Sequence, residues 1–180
     1  MTIAVTRIDP AGADRDELFE FFTTTSFPFH VGISLSRAEV EEAVAGGRYR
    51  SDDNDSYWID DSERGRIGFF RFEELSEDVP LFDLRLGDLH RGLGLGVDVL
   101  RAATDLLFGS LSDAARFEGQ TRDDNIAMRR TFERAGWVQE AYYREGWPVT
   151  GGPARASVAY SMLRRDWESG ETTPIVWDIP

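Results

Sequence analysis

The run His90-Arg91-Gly92-Leu93-Gly94-Leu95-Gly96 stands between an apolar stretch, Leu81–Leu86, and a helical one in which Val97, Leu100, Ala103, Thr104 and Leu107 recur on one face. Three glycines at alternate positions ahead of a helix keep Cβ atoms out of the way, so backbone N–H groups of the loop and of the first helical turn can converge on one point. The helix dipole makes that point favourable for an anion, and a phosphate is the natural guest. Two familiar phosphate loops do not fit. The dinucleotide pattern requires a third glycine where Val97 stands, and the P-loop requires a lysine, of which the chain has none. From its residues alone the stretch is either a site for another phosphate-bearing ligand or a plain strand-to-helix turn. With a further strand expected at 115–121, the corner belongs to a βαβ unit and commits the chain to an α/β fold.

Composition bounds the rest. A chain of 180 residues with 41% hydrophobic side chains is expected to fold as one domain, 1–180, with a sizeable core. No apolar run approaches the roughly 20 residues that span a bilayer, and Met1-Thr2-Ile3 leads straight into a strand-like alternation with no signal core, so a cytoplasmic protein without membrane partners is expected. The absence of cysteine excludes disulfides, thiol nucleophiles and thiolate-bound zinc. Two isolated histidines, His30 and His90, do not make a metal cluster. Chemistry is left to carboxylates, hydroxyls, the backbone and a borrowed cofactor. The net charge of -13 argues against nucleic acid; it serves solubility or favours a cationic partner.

Along the chain, alternation over 2–8 reads as a half-buried strand stopped by Asp9-Pro10. A helix follows with Asp14 as cap, Glu17 at capping-box spacing and Leu18, Phe21 and Phe22 as its apolar face. The segment Phe27-Pro28-Phe29-His30 breaks the pattern and is aromatic enough to line a pocket or plug the edge of the core. Ser36 and Glu39 form a second capping-box pair, opening a helix that Gly46-Gly47 stops. Strands at 57–60, 67–72 and 81–86 make an antiparallel meander, and the helix after the glycine loop ends at Gly109. Two final strands are expected at 137–143 and 157–163.

The glycine loop with its flanking strand and helix resembles the acetyl-CoA loop of the GNAT superfamily of N-acetyltransferases. The resemblance sharpens at 123–137, where Asn125-Ile126-Ala127, a short helix, and Phe132-Glu133 followed by Gly136-Trp137 resemble the second CoA-contacting motif of that family at the right distance from the first. The closest look is to ribosomal-protein N-terminal acetyltransferases, although these often carry serine where Met128 stands. The resemblance implies an α/β (α+β) fold with a central mixed, mostly antiparallel sheet of about seven strands, flanked by about four helices and splayed between the strands ending at Leu86 and Thr121. It further implies acetyl-CoA as co-substrate, no metal, pantetheine hydrogen-bonded by the backbone from Leu84 to Leu86, pyrophosphate on Arg91, Gly92, Leu93, Gly94, Leu95 and Gly96, and Asn125 reaching the pantetheine arm. Arg91 and Arg130 would add charge to the phosphates or pair on the acidic surface.

Acetyl transfer to an amine needs a base, and a donor for the developing oxyanion. By the resemblance Asp83 is the expected base, unless it pairs with Arg85 or Arg122; Glu118 on the facing strand is the reserve. Many members carry a tyrosine as general acid where this chain has Phe132, so Tyr142, Tyr143 or solvent would protonate the leaving thiolate. The expected function is N-acetylation of a primary amine, either a peptide N-terminus or a small polyamine-like or aminoglycoside-like molecule. The alternative is an acyl-CoA-binding module that senses or scaffolds. A homodimer is compatible with either. The acidic balance, with Phe27, Phe29, Trp58 and Trp147 as a cage for an ammonium, points to a cationic acceptor.

Overall fold

The protein is described by a computed structural model over residues 2–176. β1 (Ile3–Arg7), β2 (Asp55–Asp61), β3 (Gly65–Glu73) and β4 (Leu81–Leu86) form one sheet in that order. β5 (Arg116–Arg122), β6 (Val138–Trp147) and β7 (Arg155–Leu163) form a second, in the order β5-β7-β6. The helices are α1 (Arg15–Thr24), α2 (Arg37–Ala45), α3 (Gly96–Ser110), α4 (Ile126–Arg134) and a short α5 (Arg164–Ser169). Every ladder is antiparallel. The expected mixed sheet is therefore split where β4 lies beside β5. Among the described residues one backbone hydrogen bond, Glu118 N to Pro80 O at 3.1 Å, joins the two edges at their start.

The splay has a physical cause. A Cβ on Gly119 would lie 2.4 Å from Phe82 and 2.8 Å from Phe132, so only glycine lets the Phe82 ring fill the narrow end between the sheets. That ring stacks on Phe70 at 5.2 Å and meets Phe117 at 5.3 Å and Trp137 at 5.7 Å. A large core of β2, β3, β5, β7, α3 and α4 side chains surrounds this knot. A smaller one packs α1 and α2 on the opposite face of the first sheet through Trp58 and Phe69. Strict alternation would put Ile67 on the face of Phe69. A register shift between Ile59 and Asp60 moves it into the larger core instead.

Local signals held where nothing buried competed with them. Ser36 and Glu39 form both halves of their capping box. Asp14 precedes α1 but does not cap it: its carboxylate accepts from Asp9 N at 2.8 Å and from the Trp58 indole at 3.1 Å. A buried indole N–H has no other recourse, whereas exposed helix amides take water. Glu17 pairs with Arg66 instead. The buried face of α1 is Leu18, Phe19 and Phe22, with the Arg15 and Arg37 guanidinium groups each 4.6 Å from the Phe19 ring. α3 runs past Gly109 to Ser110, and the unanticipated α5 presents Arg164 to the carbonyls of Phe108, Leu111 and Ala114, closing the C-terminal end of α3.

Gly119→Ala is expected to destabilise the protein by about 1–3 kcal/mol through overpacking against Phe82, read as a lower urea midpoint at unchanged m-value. An unaltered midpoint would show that the aromatic knot can yield.

Candidate active site

A cleft of about 350 Å³ opens between the β4 edge, the glycine loop and the N-terminal half of α4. Gly92 and Gly94 have φ of 73° and 81°, and a Cβ on either would meet nothing within 4 Å. The loop thus uses glycine for its left-handed backbone and leaves open space beside it. Gly96 serves a different end: its Cβ position lies 3.0 Å from Thr131 Oγ1, so its bareness lets α3 approach α4. No side chain caps α3, and the amides of its first turn stay available to an anion. Leu84, Leu86 and Leu95 line the cleft with the glycines, whereas Leu93 lies outside its walls and is 55% exposed.

Two of the expected cofactor side chains are already engaged. Arg91 donates to Leu86 O at 3.0 Å and to Ser26 O, and pairs with Asp88 at 2.6 Å, which makes it a strut between the end of β4 and the segment after α1. Asn125 caps α4, accepting from Met128 N at 3.3 Å and donating to Thr121 Oγ1 at 3.0 Å. Unpaired charge at the cleft lies on α4, where Arg130 and Arg134, one turn apart, line it and make no ion pair among the described residues. Open space at Gly92 and Gly94, uncapped amides and two unpaired arginines fit a polyphosphate ligand.

A second cavity of about 300 Å³ lies beside the first, with Phe29, Leu84 and Arg85 in both walls. His30 lines both cavities. Its Nε2 is 3.1 Å from Asp83 Oδ1, and Asp83 also meets Arg85 at 3.0 Å and Arg71 at 3.5 Å. Burial pushes the Asp83 carboxyl up, but the Arg85 guanidinium, the His30 hydrogen bond and charge, and Arg71 outweigh it, so the group is held well below the usual carboxylate range. A carboxylate so strongly stabilised is a poor proton acceptor, which shifts Asp83 from expected base to partner of His30. Glu118 lies in neither cavity wall; it pairs with Arg116 at 2.7 Å and accepts from Gln120 at 3.2 Å. Tyr142 is 55% exposed with its hydroxyl 3.5 Å from Asp123, and no tyrosine lines either cavity. Phe132 is buried and stacks on Tyr160 at 4.5 Å.

Of the four rings expected to cage an ammonium, Trp147 lines the second cavity and carries no guanidinium among the described residues, while the other three are taken. Phe27 carries Arg85 at 4.6 Å, Phe29 carries Arg122 at 5.0 Å, and Trp58 is buried beneath Arg66 at 4.6 Å. The chain's own guanidinium groups occupy these rings. His30, Arg71 and Arg134 were not singled out as site residues by sequence; the aromatic Phe27–His30 segment was the one signal that led toward them.

Residues 6–138 match the Acetyltransferase (GNAT) domain model. The chain belongs to the GNAT acetyltransferase family and is an acetyl-CoA-dependent N-acetyltransferase. No curated protein matches it by sequence. Among solved structures it is similar to a spermidine N-acetyltransferase chimera built from the Vibrio cholerae and hSSAT proteins, with TM-score 0.76 and 14% identity over 93% of this chain and 99% of that one. The Vibrio cholerae spermidine N-acetyltransferase in complex with CoA and spermine gives TM-score 0.73 and 14% identity over 93% of this chain and 98% of that one. At this identity the likeness is one of fold.

Acetyl-CoA at 100 times its dissociation constant is expected to stabilise the protein by about 2.7 kcal/mol. Gly94→Asp should abolish that stabilisation, and Gly94→Asn, which tolerates the same positive φ without charge, should retain most of it. Equal ligand-induced thermal shifts for both variants would remove the loop from phosphate binding. A further expectation concerns acid. Asp83→Asn leaves the buried Arg85 without an ion-pair partner, Arg71 keeping Glu73, and should cost about 3–5 kcal/mol near pH 7. A depressed carboxyl stabilises above its unfolded value near pH 4 and loses that contribution as pH falls, so the gap between wild type and variant should close by up to about 1.4 kcal/mol per pH unit below it. A gap equal at pH 7 and pH 3 in urea titrations would show that Asp83 is not the charge hub.

Proposed function

We propose that the protein is a cytoplasmic N-acetyltransferase in which the acetyl thioester of acetyl-CoA lies in the glycine-loop cleft, the acceptor amine enters the second cavity, and His30 takes the proton between them. The observation that carries this reading is that His30 lines both cavities and is held by Asp83. With Nε2–H donating to Asp83, the lone pair sits on Nδ1, which is buried and has no hydrogen-bond partner. Asp83 then acts as a positioning residue that fixes the tautomer.

In the transfer the amine nitrogen attacks the thioester carbonyl, the C–S bond breaks, CoA leaves as thiolate and the amine proton passes to His30. An ordinary thiol has a pKa of about 8.5, so the thiolate leaves readily near neutral pH, and the site works without the tyrosine that many family members use. The need for a base depends on the acceptor. An amine of pKa about 10.4 is neutral at pH 7 at a cost of about 4.6 kcal/mol, and one near 7.8 at about 1 kcal/mol. The glycine loop, Arg130 and Arg134 would hold the phosphates, and the unpaired β4 edge at Leu84 the pantetheine amides.

His30→Gln is expected to lower kcat by about 100-fold or more with acetyl-CoA affinity unchanged, and the rate on a weakly basic amine should recover at higher pH. Steady-state rates against pH for wild type and variant check this. An unchanged kcat and pH profile would remove His30 from proton transfer, and tight acetyl-CoA binding without turnover of any amine would favour a sensor.

A further inference from the structure

The second cavity is rich in cationic groups for a chain of net charge -13. Its charged lining is Arg48, Arg71 and Arg85 against Glu73 and Asp83. Both carboxylates are committed: Glu73 pairs with Arg71, and Asp83 with Arg85 and Arg71. Arg48 makes no ion pair among the described residues, so the lining carries a formal excess of one guanidinium.

The polar atoms left without a partner sharpen this. Beside His30 Nδ1, read above as the proton acceptor, three wall atoms, Arg71 Nε, Arg85 Nη1 and Trp147 Nε1, are buried and make no hydrogen bond, and the Arg71 and Arg85 side chains are only 3% and 8% exposed. All three groups are donors with no capacity to accept. A buried N–H without an acceptor is costly, more so when charged, and folded proteins leave few of them. What these three donors lack is an acceptor oxygen. A polyamine would bring further N–H donors and positive charge to walls that already have both in excess.

We infer that the acceptor is a small amine that also carries a carboxylate, an amino-acid-like molecule whose carboxylate is held by Arg71 and Arg85 with Trp147 donating, and whose amine faces His30. A planar guanidinium fork matches a carboxylate in shape and charge. The cavity volume of about 300 Å³ suits one small molecule and lies at the lower end of the usual ligand-pocket range of about 300–1,000 Å³. The inference rests on the acetyl-transfer reading of the same site and adds the chemical class of the acceptor. It replaces the cationic acceptor that the acidic composition suggested, because the local lining has the opposite charge balance from the chain as a whole.

The test uses the full chain with a panel of free amino acids, their primary amides, the corresponding decarboxylated amines, a short peptide and spermidine, read by release of CoA thiol. The best amino acid should show a KM at least tenfold below that of its amide and of its decarboxylated amine. Trp147→Phe, which removes one donor and little volume, and Arg71→Gln should each raise that KM at least tenfold, leaving the KM for acetyl-CoA and for the amide unchanged. If Arg71→Gln does not fold, Trp147→Phe alone decides the point. Spermidine, the peptide or any carboxyl-free amine turned over at equal or lower KM than every amino acid overturns the inference and leaves acetyl transfer standing. A second arm is independent of turnover: deaminated acids such as 3-phenylpropionate are titrated into the CoA-bound protein. Thermal stabilisation of wild type that is lost in Trp147→Phe supports the carboxylate site even if no amine is acetylated, a result that would instead count against the transfer reading. No stabilisation by any carboxylate at millimolar concentration overturns the inference.

Discussion

One buried carboxylate holds the wall of the second cavity together. Asp83 lies directly across the ladder from Arg71, and Arg85 follows two residues along the same face of β4, so strand register alone brings both guanidinium groups to it. None of these charges is tolerable in the interior without the others. Arg85 in turn lies 5.2 Å from the Phe22 ring and 4.6 Å from Phe27, which ties the ion cluster to the core under α1. His30 is oriented as the outermost member of the same cluster, so the catalytic geometry proposed here and the packing of the smaller core have a common support.

The split between β4 and β5 is the second constraint. A sheet edge exposes unpaired N–H and C=O groups, normally a liability. Here the edge lies along a cleft, and the Phe82 ring against Gly119 keeps the two halves from closing into one continuous sheet. The same glycine-for-space exchange recurs at Gly96, where it draws two helices together, and in reverse at Gly92 and Gly94, where the space is left for a ligand.

What was legible in the sequence was what is local. The β4 boundaries, the Ser36–Glu39 box and the glycine loop all depend on residues within a turn or two of one another, and they stand as read. The Asp14–Glu17 box failed because Trp58, 44 positions away, claims the cap. Arg91 looked free for phosphate until the fold brought Ser26 O within its reach. The acceptor cavity was the least legible part of the site. His30, Arg71, Asp83 and Trp147 come from distant segments, and neither periodicity nor spacing relates them. Whole-chain charge says little of either cavity for the same reason, since it averages over surfaces that never meet.

Every fixed cation in the walls of both cavities is a guanidinium, because this chain contains no lysine. A protonated guanidinium stays charged and is not an acylatable nucleophile at neutral pH. An ammonium placed at position 71 or 130 would bind anions too, yet on losing its proton it would compete with the acceptor for the activated acetyl group. With arginine alone the walls can hold phosphate and carboxylate through repeated turnovers, and no ε-amine of the chain stands open to acetylation by its own thioester.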